Sequence, residues 1–366
     1  MKTDKTIQSR LLSLDFFRGF TMFLLVAEFT HLYGYLIAPE YAGTIISKIG
    51  TQLHHQPWNG LRFWDLIQPF FMFIVGVAMP FSYSKRRKMG ESHNHISQHI
   101  LLRSLLLLLM GWWLYCIPAG KIVFHMQNVL AQLSVTILIA FLIMRKPVAV
   151  QFLVSIGLIG LMEFIYRIFW VDGFNQPFVA DHNFGAWFDM LIAGELSEGH
   201  WASINAISTS AHTIWGVLAG KLLMSNKTHR EKLFILVIAG LAGLVIGYSL
   251  NPITPIIKRI ATSSFVFASG GWTTLALALS FWLIDILKLQ KGVLFFAIVG
   301  MNPLFIYLFA HIGGADLIAQ VVRPFANTLF TWTGDAGVDI LTALVTTFGL
   351  WYICFWMYKR KIFIKI

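Results

Sequence analysis

Apolar runs close to 20 residues long recur along most of this 366-residue chain and leave it few ways to fold. In hydrocarbon every backbone amide and carbonyl must find its partner within the protein, so only helices and closed barrels cross a bilayer. Barrel strands would alternate apolar and polar residues over about ten positions, whereas these runs are continuous. Only 12% of the residues are charged and 57% are hydrophobic, against roughly 25% charged in a soluble domain. The sequence therefore predicts an all-α, polytopic integral membrane protein, a single transmembrane domain over residues 1–366.

About ten transmembrane helices are expected, near 13–36, 61–84, 98–118, 127–144, 147–169, 201–224, 233–250, 262–287, 293–311 and 338–358. The Gly-rich region 312–337 carries Asp316, Arg323 and Pro324 and has room for a short re-entrant or interfacial helix. Residues 1–10 are polar and the first apolar run is long enough to span, which argues against a cleavable signal. Cys116 and Cys354 both lie within apolar runs, too few and too far apart for a metal or disulfide framework.

Basic residues gather after every second span, at Lys85-Arg-Arg-Lys88, Arg145-Lys146, Lys227 to Lys232, Lys288 with Lys291, and Lys359-Arg-Lys361. With the terminal and helix-end cations, 21 of the 28 basic residues fall on one side of the expected topology and 7 on the other. The positive-inside rule then places both termini in the cytoplasm, N-in and C-in, as a multi-pass protein of the cytoplasmic (inner) membrane. The same bias accounts for the +11 net charge through contact with membrane lipid, without nucleic acid. Acids show the opposite bias: Glu40, Asp172, Asp181, Asp189, Glu195, Glu198, Asp316, Asp335 and Asp339 fall in outer segments. They read either as solvated loops or as a vestibule whose negative field attracts a cationic substrate.

Chemistry concentrates in His55-Gln-Pro-Trp58-Asn59-Gly60-Leu-Arg62-Phe-Trp-Asp65, at the outer entry to the second span. Ionisable groups at membrane depth are expensive and need partners or a function. A neutral imidazole titrates near pH ~6.5 and serves as base or nucleophile near neutrality, which fits His55, with His54 as its rival. Glu28 and His31, three apart, are expected to share a face near the outer end of the first span. Glu28 then holds His31 or His55, receives a substrate ammonium, or makes a structural hydrogen bond. Asp15 and Arg18 share a face at the cytoplasmic end; they form an internal ion pair, or Arg18 meets a phosphate. Asn205, Ser208 and His212 form a polar stripe on the sixth span, for cross-helix hydrogen bonds or for lining a tunnel. Gly300-Met-Asn302-Pro303 is expected to break the ninth span.

These residues bring out a resemblance. The chain resembles the heparan-α-glucosaminide N-acetyltransferase family and its bacterial relatives, within the transmembrane acyltransferase group. The shared stretches run nearly end to end: Ser13-Leu-Asp-Phe-Phe-Arg-Gly19, His55 to Asp65 with Phe71-Met-Phe-Ile-Val-Gly76, Gly216-Val-Leu-Ala-Gly-Lys221, Lys258 to Phe265 with Gly271-Trp272, Gly300-Met-Asn302, and the terminal Tyr358 to Ile366. The resemblance implies acetyl transfer from cytosolic acetyl-CoA, as co-substrate and without a metal, to an amino sugar or glycan on the far side. It places the catalytic histidine three residues before Trp58-Asn59-Gly60, hence at His55, and suggests a homodimer. Where the family carries an asparagine near the outer end of the first span, this chain has Glu28-Phe29.

Within that expectation His55 acts as base or acetyl acceptor, Glu28 or His31 orients it or holds the acceptor, and Asn59 stabilises the oxyanion together with Arg62. Arg18, Asn205, His212 and Asn302 are assigned to acetyl-CoA, and Arg62, Asp65 and Trp58 to the acceptor. Two other classes compete. A proton-coupled transporter of sugars or small solutes also uses broken, polar spans, but the halves show no inverted repeat. An envelope scaffold would be indifferent to the loss of His55.

Overall fold

The computed structural model describes residues 11–364. Among them the regular structure is helical, apart from one isolated bridge pairing Asn59 with Ile257. Among the described residues six helical segments are long and apolar enough to cross a membrane: Phe63–Lys88, His93–Ala119, Val148–Ile168, His229–Leu250, Ser263–Ile286 and the interrupted stretch Pro303–Lys359. That pattern fits a multi-pass membrane protein. The chain folds into two compact units. One takes the chain through His55, Arg62–Ile67 and everything from Leu279; the other takes Gln56–Leu61 and Gln68–Ala278.

The first unit begins with α1 (Leu12–Glu28), which ends well short of the helix expected to reach residue 36. The reason is local. Thr30 Oγ1 donates to the carbonyl of Ala27 at 2.8 Å and lies 3.1 Å from Thr347 Oγ1. A hydroxyl bonded to the preceding turn competes with the helical ladder, and His31 then takes a left-handed φ of 61°. The chain restarts as α2 (Leu32–Tyr35) and α3 (Ile45–Gln52). Glu28 and His31, expected on one helical face, therefore lie on either side of a helix end.

The ninth span divides as expected, into α12 (Val293–Val299) and α13 (Pro303–Phe309). Between them Asn302 donates Nδ2 to the carbonyl of Ile362 at 2.9 Å and accepts the amide of Ile364 at 2.8 Å. Its side chain thus pairs with the chain end as a strand neighbour would. Gly19 lets α1 and α12 touch backbone to backbone; a Cβ there would overlap the carbonyl of Phe296. Beyond a kink where Gly313 has φ 101°, region 312–337 holds α14 (Ala315–Phe330), which packs along α15 (Gly334–Lys359). This helix is longer than the short element expected. It buries Ala315 and Ala326 and leaves Leu317, Val321, Phe325 and Leu329 exposed at every fourth position.

The second unit holds most of α4 (Ile67–Lys88), then α5 (His93–Ala119), α6 (Val129–Ile143), α7 (Val148–Ile168), α8 (Phe184–Ala193), α9 (Ala206–Met224), α10 (His229–Leu250) and α11 (Ser263–Ser280) up to Ala278. At its centre is α9, with Ala211, Ile214 and Val217 fully buried and with α6 and α7 against it. Helix α5 instead exposes Leu101, Leu102, Leu105, Leu109 and Trp113, the surface a lipid-facing helix presents.

Helices α4 and α9 meet at Gly76 and Gly216, each standing where its own Cβ would overlap a carbonyl of the other helix, Thr213 and Phe73 respectively. Small residues let membrane helices approach closely enough for dispersion to hold them. Gly216→Leu is expected to lose about 1–3 kcal/mol or more to overpacking. Gly157→Leu on α7, with nothing within 4 Å of its Cβ position, serves as the control. Thermal unfolding in detergent checks this, and equal melting of the two variants would rule the packing out.

Candidate active site

His55 and Asp65 are ten positions apart in sequence, and the loop between them returns on itself to bring the two together. His55 Nδ1 lies 3.0 Å from Asp65 Oδ1. The carboxylate is almost fully buried, and the imidazole is about one-third exposed (side-chain exposures 1% and 34%). Asp65 Oδ2 accepts the amide of Arg62 at 2.9 Å, and the Asp65 amide donates to the carbonyl of Arg62 at 3.0 Å. One carboxylate therefore caps the turn Phe63–Leu66 that leads into α4 and also fixes the imidazole. With Asp65 ionised the carboxylate only accepts, and in that state Nδ1 carries the proton and Nε2 the lone pair.

The loop is braced from both ends. Arg62 donates its guanidinium to the carbonyl of His55 at 3.1 Å, and the amide of Phe63 donates to Gln52 Oε1 at 3.2 Å. Trp64, 2% exposed, donates its indole N–H to Glu28 Oε1 at 3.0 Å. Its ring lies 6.5 Å from that of His55 and meets Tyr33 edge-on at 4.8 Å. Glu28 and the His55–Asp65 pair thus attach to one rigid turn. His54 points elsewhere, its Nδ1 2.7 Å from the carbonyl of Gly50. His31 is exposed and sits 3.6 Å from Asp316 of α14.

Sequence reading places Asp65 with the acceptor and gives the orienting role to Glu28 or His31. The structure puts Asp65 in contact with His55 Nδ1. No period marks that pairing, since the loop follows neither helix nor strand spacing. Trp64, the hinge between Glu28 and the dyad, is not singled out by sequence at all; its only signal is an indole beside two ionisable residues.

The remaining candidates are held by internal bonds. Arg18 makes a 2.6 Å ion pair with Asp15 and donates Nε to the carbonyl of Gly300 at 3.0 Å. It therefore grips the same helix break that Asn302 occupies. In the second unit, Asn205 donates to the carbonyl of Arg259 at 2.6 Å and Ser208 to that of Ala261 at 3.0 Å. His212 Nε2 lies 3.0 Å from both the carbonyl of Val266 and Ser269 Oγ. The polar stripe of α9 thus binds residues 259–269. Trp58 donates its indole N–H to the carbonyl of Phe178 at 2.8 Å. Asn59 is exposed, and its backbone position is fixed by Gln56 Nε2, which donates to the Asn59 carbonyl at 2.7 Å.

Several outer acids have specific partners. Asp181 pairs with His200 at 2.7 Å, Glu195 with His125 at 3.0 Å and Asp339 with Arg323 at 3.0 Å. Asp189, 2% exposed, accepts the amide of Ser203 just before α9, and burial pushes its carboxyl above the usual aspartate range.

No family model matches the chain. Among curated proteins, human (Homo sapiens) heparan-alpha-glucosaminide N-acetyltransferase is 24% identical over 421 aligned positions. The match takes in 98% of this chain and 60% of that protein. The chain is its distant relative. Near-complete coverage of the shorter partner means the likeness runs through both units rather than through one motif, while about 40% of the human protein has no counterpart in this chain.

Proposed function

We propose that this chain is a transmembrane acetyltransferase that moves an acetyl group from cytosolic acetyl-CoA to an amino sugar on the opposite side. It does so through ten membrane crossings with both termini inside. One observation carries the reading: a buried carboxylate lies 3.0 Å from Nδ1 of an imidazole that is itself part-exposed, in a distant relative of an N-acetyltransferase. A histidine held this way by a carboxylate is the general-base half of a catalytic triad.

In the reaction, the acceptor amine attacks the thioester carbonyl. His55 Nε2 takes the proton the amine gives up, and Asp65 stabilises the resulting imidazolium. The oxyanion falls to donors of the His55–Asp65 loop, Arg62 first, an interaction worth about 3–4 kcal/mol where such donors have been removed. Collapse expels the CoA thiolate, which recovers the proton from the imidazolium. A C–N bond has formed, a C–S bond has broken, and His55 is restored. In the variant route His55 carries the acetyl group between two such steps. The basic cytoplasmic ends suit the phosphates of CoA.

Sealed proteoliposomes test the proposal. With acetyl-labelled CoA outside and glucosamine trapped inside, labelled N-acetylglucosamine is expected in the lumen. Absence of lumenal product from preparations containing both protein orientations would sink the reading.

A further inference from the structure

Asn302 reads a piece of backbone. Its side chain is fully buried at the break between α12 and α13, and both ends of the carboxamide are used. Nδ2 donates to the carbonyl of Ile362 at 2.9 Å, and Oδ1 accepts the amide of Ile364 at 2.8 Å. These two groups flank a single residue, Phe363. The segment that carries them is no longer part of α15. Lys361 ends that helix with a φ of 58°, and the amides of Lys361 and Ile362 close back onto the carbonyls of Tyr358 and Met357. Beyond the closure, residues 362–364 are non-helical and each is about two-fifths exposed (39–43%). Lifting them off Asn302 leaves that closure of α15 in place. A buried carboxamide is costly to leave unpaired, so the segment departs by exchange with a group that offers the same acceptor and donor.

Resting on the acetyltransferase reading, we infer that residues 362–364 are a displaceable strap that competes with the pantetheine arm of acetyl-CoA for Asn302. The chain thereby restrains the binding of its own co-substrate. The two occupants match group for group. The pantetheine arm carries a carbonyl and an N–H on either side of β-alanine, which is one methylene longer than the α-amino acid residue that Phe363 supplies. The strap follows directly on Lys359-Arg-Lys361. In the proposed topology both lie on the cytoplasmic side, where CoA arrives and where basic residues suit its phosphates. Arg18 grips the same break through the carbonyl of Gly300 at 3.0 Å, so the break stays tied to α1 when the strap leaves. The ligand meets only the fraction of molecules whose strap is off, and its apparent affinity falls by that fraction.

The test is calorimetric binding to the full chain in detergent, with CoA and adenosine 3′,5′-diphosphate as probes. The second probe keeps the nucleotide and lacks the pantetheine arm. Ile364→Pro deletes the amide that Asn302 accepts and leaves Asn302 itself intact. It is expected to bind CoA about two- to tenfold more tightly than wild type, the scale of one hydrogen bond removed from a competitor, with the adenosine probe unchanged. Asn302→Ala should weaken CoA and abolish the effect of Ile364→Pro in the double variant. If Ile364→Pro does not fold, Phe363→Gly, which loosens the free strap, should shift CoA in the same direction. Unchanged or weaker CoA binding in a folded strap variant means a purely structural strap and overturns the inference. An equal gain for both probes overturns it too, because the strap would then not compete for the pantetheine site. CoA bound by wild type but indifferent to the strap leaves the acetyltransferase reading standing. CoA bound by no protein in the series removes that reading and the inference together.

Discussion

His55→Ala is expected to lower acetyl transfer by roughly 10²- to 10⁴-fold, the contribution of a positioned general base, with little change in melting temperature. The imidazole is about one-third exposed, so its removal leaves no large cavity. Its loss does leave Asp65 Oδ1 without its imidazole partner, yet Oδ2 keeps the amide of Arg62. His54→Ala provides the contrast. That ring bonds back to the carbonyl of Gly50 at the end of α3, and its loss should change the rate by no more than about threefold. Rates from proteoliposomes carrying each variant separate the two neighbours. A His55→Ala protein as active as His54→Ala would show that the dyad is structural. Acid quenching before the acceptor is added distinguishes the two routes: label retained by wild type and absent from His55→Ala marks an acetyl-enzyme.

Legibility in this chain followed the range of the forces involved. Helices that need only an apolar face and caps were readable: α5 and α10 take in the expected spans, α7 matches its span to within one residue at each end, and the break at Gly300 to Pro303 falls where Pro303 denies the ladder a donor. The end of α1 was not readable. It turns on Thr30 Oγ1 bonding the carbonyl of Ala27 in the preceding turn, and a threonine in an apolar run does not announce whether its hydroxyl will compete with the helical ladder. The kink at Gly313 that leads into α14 is likewise set by one positive-φ glycine among several in a Gly-rich stretch. At the site, sequence identified the residue types, because ionisable groups in an apolar chain stand out. It did not supply their partners. His55 met Asp65 rather than a residue at helical spacing, and Glu28 met the indole of Trp64. Asn302 shows the same limit, since its partners Ile362 and Ile364 lie at the far end of the chain.

Asp65 gives the sharpest division between chemistry and stability. Asp65→Asn keeps the volume but replaces an acceptor-only group with one that also donates. Two native partners, His55 Nδ1–H and the amide of Arg62, both need acceptors, and an amide has one acceptor to offer. If its oxygen caps the Arg62 amide, its NH₂ faces Nδ1 and enforces the opposite tautomer, with the proton on Nε2 where the lone pair is needed. Such a swap costs about 10⁴-fold in a serine protease triad, so a fall in kcat of roughly 10²- to 10⁴-fold is expected here, with KM for the acceptor little changed. Asp65→Ala removes both acceptors at a buried position. Each donor left unsatisfied costs about 1–3 kcal/mol, so this variant should also lose stability and open the turn that carries Trp64. The pair of variants is therefore diagnostic. Asn inactive but folded, and Ala inactive and destabilised, identifies Asp65 as the positioning residue of the dyad. An active Asp65→Asn protein would mean that the tautomer of His55 does not matter, and the base mechanism would fall with it.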